Sequence, residues 1–179
     1  MSLDEIWMSG DFTAESALKL RKDILEHAAL GEDVPILIYI NSYGGSVDAL
    51  NKILDTIESL PNKVVTICSG TAMSAGAFLL CAGDERYIGK NSRVMIHQAS
   101  AGVFGTVNEM DANLKEFKKM NNRIINLVSK RCGKSVKDIK ELFGVSTDKY
   151  FSPQEARKFG LVDKIGTPRL KTVTTYEIA

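Results

Sequence analysis

Two continuous apolar runs, each followed by a turn of small residues and then a helix-like segment, constrain this chain more than any other feature. The first, Val34-Pro35-Ile36-Leu37-Ile38-Tyr39-Ile40, is too continuously apolar for a half-exposed strand and reads as a central strand buried on both faces. It leads through a turn, Asn41-Ser42-Tyr43-Gly44-Gly45-Ser46, into a helix whose Val47, Leu50, Ile53, Leu54, Ile57 and Leu60 form one stripe. The second, Lys63-Val64-Val65-Thr66-Ile67-Cys68, is a β-branched run that reads as a buried strand. It opens into Gly70-Thr71-Ala72-Met73-Ser74-Ala75-Gly76-Ala77-Phe78-Leu79-Leu80, which puts Ser74 at a strand-to-helix turn. A repeated strand-turn-helix unit implies an α/β fold with parallel strands and right-handed crossovers. In such sheets the functional groups gather at the carboxyl ends of the strands, where both turns fall.

The remaining segments fit around that unit. Ile6-Trp7-Met8 reads as a short strand ending in a turn at Gly10-Asp11, and Thr13 begins a helix in which Ala17, Leu20, Ile24 and Ala28 recur at helical spacing until Gly31. Arg86-Tyr87-Ile88 and Arg93 to Gln98 read as two further strands. After Gly102 and Gly105 a long, lysine-rich helix carries Val107, Met110, Leu114, Phe117, Ile124 and Val128 on one side, ends near Arg131 and stops at Gly133. A helix of that length is expected to extend beyond the domain and pack on another subunit. Ser135 caps a short helix through Leu142, and Gly144 to Phe151 is irregular with some strand character. Ser152-Pro153-Gln154-Glu155 is a strong helix start, Gly160 ends that helix, and Leu161 to Ile165 returns as a strand. Residues 166–179 read as a polar, exposed tail, and without any linker the whole of 1–179 reads as one domain.

Composition excludes several function classes. The net charge of +1, with acids and bases interleaved, leaves no footprint for nucleic acid or an anionic membrane. Cys68, Cys81 and Cys132 are odd in number and lack metal or redox spacing, so they read as buried small hydrophobes in a reducing compartment. Two histidines argue against a dedicated metal site, and no cofactor is implied. The N-terminus shows no signal-peptide pattern, and the longest apolar stretch, around Ala75 to Ala82, is too short to span a bilayer. The expected location is the cytoplasm.

Ser74 gains chemical meaning from three other features: His97 closes a buried-looking strand, Gly44-Gly45 follows another, and Asp148 precedes a well-capped helix. A serine hydroxyl attacks well only when a hydrogen-bonded imidazole takes its proton, while a carboxylate orients that imidazole. The oxyanion formed needs two N–H donors, which Gly45 and Ala75 would supply from the two turns. Each residue also has a purely structural reading. Ser74 would then be an N-cap, His97 a satisfied core histidine, the glycines a tight turn, and Asp148 a turn or capping residue.

Four blocks occur together: Tyr39-Ile40-Asn41-Ser42-x-Gly44-Gly45, Ala72-x-Ser74-x-Gly76-Ala77-Phe78-Leu79-Leu80, Asn91-Ser92-Arg93-Val94-Met95-Ile96-His97-Gln98, and Asp148-x-x-Phe151-Ser152-x-x-Glu155-Ala156. In order and content they resemble the proteolytic subunit of the Clp ATP-dependent protease, over about Ile6 to Ile165. The resemblance implies a crotonase-like αβ superhelix with a protruding handle helix, here about residues 99–131. It implies Ser74 as nucleophile, His97 as general base, Asp148 as orienting carboxylate, and the amides of Gly45 and Ala75 as the oxyanion hole. Substrate peptides would pair along Ala101, Gly102 and Val103 and beside Gly44 and Gly45. The implied activity is a serine endopeptidase that cuts unfolded polypeptides inside a tetradecameric chamber of two stacked seven-membered rings fed by an AAA+ unfoldase, with neither metal nor cofactor.

Some positions depart from the family pattern. Ala99 and Tyr43 stand where prolines are usual, and the residues flanking the serine are exchanged, as Met73-Ser74-Ala75. Oxyanion donors are backbone groups, so the exchange reshapes the pocket wall and leaves the chemistry. Ile6-Trp7-Met8 already matches the family's first strand. The axial loop that helps engage the unfoldase is therefore expected to be almost absent, which argues against docking of the usual kind and for a wider entrance. Two other readings follow from the same fold. One is a catalytically silent ring subunit that co-assembles with an active homologue; the other is a coenzyme A thioester enzyme, which would rely on acidic residues in place of this serine, histidine and aspartate.

Overall fold

The computed structural model describes residues 5–100, 102, 104–144 and 148–168. Among them β1 (Ile6–Phe12), β2 (Ile36–Gly45), β3 (Val64–Met73) and β4 (Glu85–Ile88) lie side by side in that order, all parallel, with β7 (Lys164–Ile165) parallel to β4 at the edge. The mostly parallel α/β architecture expected from the repeated strand-turn-helix unit is therefore observed. The apolar runs form its centre: Ile36, Ile38, Ile40, Ile67 and Cys68 are all fully buried.

The central strand β3 changes partner partway along. Val65–Cys68 pair with β4, whereas Thr71–Met73 pair with β5 (Arg93–Ile96), itself antiparallel to β6 (Lys149–Phe151). The bend between the two halves falls at Gly70, whose φ of 107° suits a residue without Cβ. Two side chains satisfy the amides freed there: Gly70 N–H donates to Ser92 Oγ at 2.9 Å, and Thr71 N–H to Asn41 Oδ1 at 3.2 Å.

Helices α1 (Ala14–Ala28) and α2 (Val47–Glu58) turn their apolar stripes inward, burying Ala17, Leu20 and Ile24 on one and Leu50, Ile53 and Ile57 on the other. A fully buried aliphatic side chain is worth roughly 1.5–3 kcal/mol, so these stripes, more than helix propensity, hold both helices in place. Thr13 caps α1 reciprocally with Ser16. Thr13→Ala is expected to cost about 1 kcal/mol, read as a lower urea midpoint at unchanged slope; an unaltered midpoint would assign the capping no role in stability.

α3 (Ala75–Ala82) is buried on every side, in keeping with a helix that carries no polar residue. α4 (Val107–Cys132) behaves differently along its length. Ile124, Ile125 and Val128 are buried, while Val107, Met110 and Leu114 of the expected stripe are exposed, so the first half of the helix stands clear of the core. α5 (Val136–Gly144) and α6 (Pro153–Phe159) follow, the latter with the reciprocal Ser152–Glu155 cap that its sequence signals. Among the described residues no helix is long and apolar enough to cross a membrane.

Three expectations are corrected. Asn41 to Gly45 is not a turn but the end of β2, because β1 also continues past Gly10, through a register shift between Ser9 and Asp11, and pairs Asp11 with Gly44 and Phe12 with Gly45. Gly10, at φ 80°, makes the irregularity that lets both strands run on. The strand expected over Leu161 to Ile165 shrinks to Lys164–Ile165, since Leu161 and Val162 bury into the core beside α6 without pairing. Of the polar tail only 166–168 are described.

Candidate active site

β3 ends at Met73 and α3 begins at Ala75, so a single residue, Ser74, makes the strand-to-helix turn. It does so at φ 51° and ψ −120°, the one positive-φ non-glycine conformation among the described residues. Such a backbone costs about 1–3 kcal/mol and persists only where its surroundings over-determine it. Here Ser74 N–H donates to the Met95 carbonyl at 2.9 Å, and the Ser74 carbonyl accepts from Phe78 N–H at 3.1 Å. The side chain makes no helix-capping bond, which removes the purely structural reading of this serine as an N-cap. Its Oγ lies instead 2.8 Å from Nε2 of His97.

Strand register brings the histidine there. β5 runs parallel to β3 with Met95 opposite Met73, so His97, just beyond β5, emerges at the same end of the sheet as Ser74. The third residue arrives by the same logic. β6 is antiparallel to β5 with Lys149 opposite Ile96, and one step further along both strands sets Asp148 opposite His97. Asp148 Oδ1 lies 3.6 Å from His97 Nδ1, an ion-pair distance longer than a hydrogen bond, with the histidine 28% and the aspartate 48% exposed. Three residues remote in sequence thus line up as Ser74, His97, Asp148.

One glycine of the pair, Gly44, lies against the serine. A Cβ built on Gly44 would lie 2.6 Å from Ser74 Cβ, 2.9 Å from the Met73 carbonyl and 3.1 Å from the Ala75 nitrogen, so only glycine lets β2 come this close to the serine. Gly44 N–H donates to the buried Ser42 Oγ at 3.1 Å, which pins the strand end. On the β1 side the Phe12 carbonyl accepts from Ser46 N–H at 2.8 Å, bypassing Gly45. Ala75 stands at the first position of α3, where a backbone N–H has no partner within the helix.

Of the residues expected to bind substrate, Gly44 sits beside Ser74, Gly45 packs on the Phe12 backbone of β1, and Gly102 lines a cleft of about 600 Å³ with Asn113, Phe117 and Met120, apart from Ser74 and His97. Ala101 and Val103 lie outside the described residues. Sequence reasoning missed two supports of the site, Ser42 under Gly44 and the Asn41–Ser92 clasp on the bend of β3. The only sequence signal for them is their place inside the quoted blocks, because a buried hydroxyl leaves no periodicity.

A serine hydroxyl on an imidazole, with a carboxylate behind the ring and helix-start amides beside it, is the equipment of acyl transfer through a covalent serine intermediate. The family model described as Clp protease matches residues 2–169. The mostly parallel αβ architecture agrees with that match, and the family's general activity is serine-type peptide hydrolysis in oligomeric rings that work with AAA+ partners. Spanning nearly the whole sequence, this match establishes that the chain belongs to the Clp protease family.

Proposed function

We propose that this chain is an active serine endopeptidase that cleaves unfolded polypeptides. The observation that carries the reading is the 2.8 Å contact between Ser74 Oγ and His97 Nε2 at a strained strand-to-helix turn. His97 takes the Ser74 proton as Oγ attacks the peptide carbonyl, and the resulting oxyanion is held by the N–H groups of Gly45 and Ala75. His97 returns the proton to the leaving amine, and the acyl group remains as an ester on Ser74. Water, deprotonated by His97, then releases the acid and restores the serine. Asp148 keeps Nδ1 protonated and steadies the positive ring. The substrate strand lies along Gly44, Gly45, Ala101, Gly102 and Val103, and residues 1–179 act as one domain.

The exposed first half of α4 supports assembly into two stacked seven-membered rings, with Val107, Met110 and Leu114 covered by a facing subunit. The chamber works in the cytoplasm.

The deciding experiment is intact-mass analysis after treatment with a fluorophosphonate, using native chain and Ser74→Ala in a confirmed assembly state. One adduct on the native chain and none on the variant is the expected result. No adduct on assembled native protein would overturn the reading in favour of a catalytically silent subunit. Asp148→Asn is expected to lower kcat by about 10⁴-fold, because the amide lacks the carboxylate charge and its NH2 donor favours the wrong imidazole tautomer. A loss below tenfold would exclude Asp148 from the machinery.

A further inference from the structure

Ser42 is fully buried in β2, and the inward-facing side chains before it, Ile36, Ile38 and Ile40, are all aliphatic. A hydroxyl in such company destabilises the fold unless it is hydrogen-bonded. Its Oγ accepts from the Gly44 N–H at 3.1 Å, two residues further along the same strand. A strand amide ordinarily donates to a neighbouring strand, so an amide held by a side chain of its own strand is drawn out of the regular ladder. The ladder is irregular on both sides of this point, with register shifts between Ser9 and Asp11 toward β1 and between Ile40 and Ser42 toward β3. Gly44 itself takes φ 110°, which a residue with a Cβ would resist.

The same residue supports the other side of the site. Gly76, the second residue of α3, rests on it: a Cβ built there would lie 3.1 Å from the Ser42 carbonyl oxygen and 3.3 Å from Ser42 Cβ. Gly44 reaches over to the start of that helix, its built Cβ falling 3.1 Å from the Ala75 nitrogen. Three contacts therefore close a ring: the Ser42 hydroxyl to Gly44, Gly44 to Ala75, and Gly76 back to Ser42. The close approaches at Gly44 and Gly76 resist compression but do not pull. The hydroxyl supplies the directional bond, and Gly45 and Ala75 are chain neighbours of the two glycines that it ties together.

We propose that Ser42 is a positioning residue for the reaction at Ser74: its buried hydroxyl holds the Gly44 amide while its backbone carries the first turn of α3, which fixes the spacing of the Gly45 and Ala75 amides that receive the oxyanion. The role rests on the serine peptidase reading above, and Ser42 acts through those amides, not on the substrate. A substrate strand paired along the main chain tolerates a small shift of β2. An oxyanion that exists only in the transition state needs both donors at hydrogen-bond distance. Losing one donor outright costs about 10²–10³ in kcat, and misplacing it costs less, about 10–100-fold, in kcat with KM held.

The test measures hydrolysis of a fluorogenic peptide by native chain, Ser42→Ala and Ser42→Cys in one confirmed assembly state, with a peptide aldehyde as inhibitor, since its tetrahedral adduct on Ser74 carries the oxyanion. Ser42→Ala is expected to lower kcat by about 10–100-fold with KM within about twofold of native, and aldehyde affinity falls in step with kcat. Ser42→Cys, whose sulfur is a weaker acceptor in the same place, is expected to fall between the two. A hydroxyl that only stabilises the fold would lower the melting temperature and leave these ratios alone. The role is overturned if kcat of folded Ser42→Ala stays within about threefold of native, or if KM rises as much as kcat falls while aldehyde affinity holds. Should Ser42→Ala fail to assemble, Ser42→Cys decides alone: a lower kcat at native KM supports the role, and a native kcat overturns it. Native chain that assembles but cleaves no peptide overturns the peptidase reading and this role together, whereas native turnover with unaltered variants overturns the role alone.

Discussion

Replacing Ser74 with alanine is expected to lower kcat for peptide hydrolysis by about 10⁶-fold while leaving the fold intact. The size follows from the unit in which the serine acts: without Oγ there is no acyl-enzyme, and His97 has no proton to take. The fold survives because the Ser74 side chain caps nothing; its lone polar contact is to His97. Alanine meets the same backbone strain at φ 51° as serine, so the two melt at similar temperatures. Glycine does not, and Ser74→Gly is expected to be more stable than the native chain by about 1 kcal/mol, the relief of one positive-φ residue. An inactive protein that gains stability would show strain stored at the nucleophile. Residual activity within a hundredfold of native in Ser74→Ala would mean that another group does the chemistry.

Arg86→Met is expected to cost about 3 kcal/mol of folding stability. Arg86 is 9% exposed at the meeting point of β4, α4 and the loop after α6. Its guanidinium holds Asp163 through Nε at 3.1 Å and Nη2 at 2.6 Å, and Nη1 donates to the carbonyls of Arg131 and Gly160 at 2.8 and 3.0 Å. Methionine fills the volume and keeps the bond from the backbone N–H of residue 86 to Asp163 Oδ2 at 2.8 Å, but leaves Asp163 Oδ1 and two carbonyls without their guanidinium donor. Removing one partner of a buried pair typically costs about 3–5 kcal/mol. The Asp163 side chain is 37% exposed and recovers some hydration, which sets the expectation at the lower end.

The sign of the pH dependence follows from Asp163. Burial raises its carboxyl, but the hydrogen bonds and charge of Arg86 outweigh that and hold it below the usual carboxylate range. A depressed folded-state pKa contributes stability above the unfolded value, near 3.9, and that contribution is lost as pH falls through the folded one. The stability gap between native and Arg86→Met should therefore narrow in urea melts below about pH 4. A gap that stays constant into stronger acid would assign the loss to packing. Adding Asp163→Asn to Arg86→Met should recover part of it, since the orphaned charge is gone.

Much of the fold is legible because its determinants are local. The stripe of Ala17, Leu20 and Ile24 and the reciprocal cap of Ser152 and Glu155 lie within a few residues of their partners, so periodicity and composition identify them. The glycines of Asn41 to Gly45 mislead for a physical reason. Glycine marks a turn when considered alone, yet Gly44 is needed because its missing Cβ lets one strand touch Ser74. Arg86 reads as an ordinary strand residue and becomes a hub because α4 and the α6 loop turn carbonyls toward it.

The parallel αβ class, the helix starts and, through four blocks in a known order, the family and the serine at the strand-to-helix turn all follow from local residue patterns. Tertiary structure alone decided which residues meet. His97 reaches Ser74 through the pairing of Met73 with Met95, and Asp148 reaches His97 through that of Ile96 with Lys149. Local periodicity encodes which face of an element is buried; register and partner are set by long-range packing, which a one-residue slip would undo.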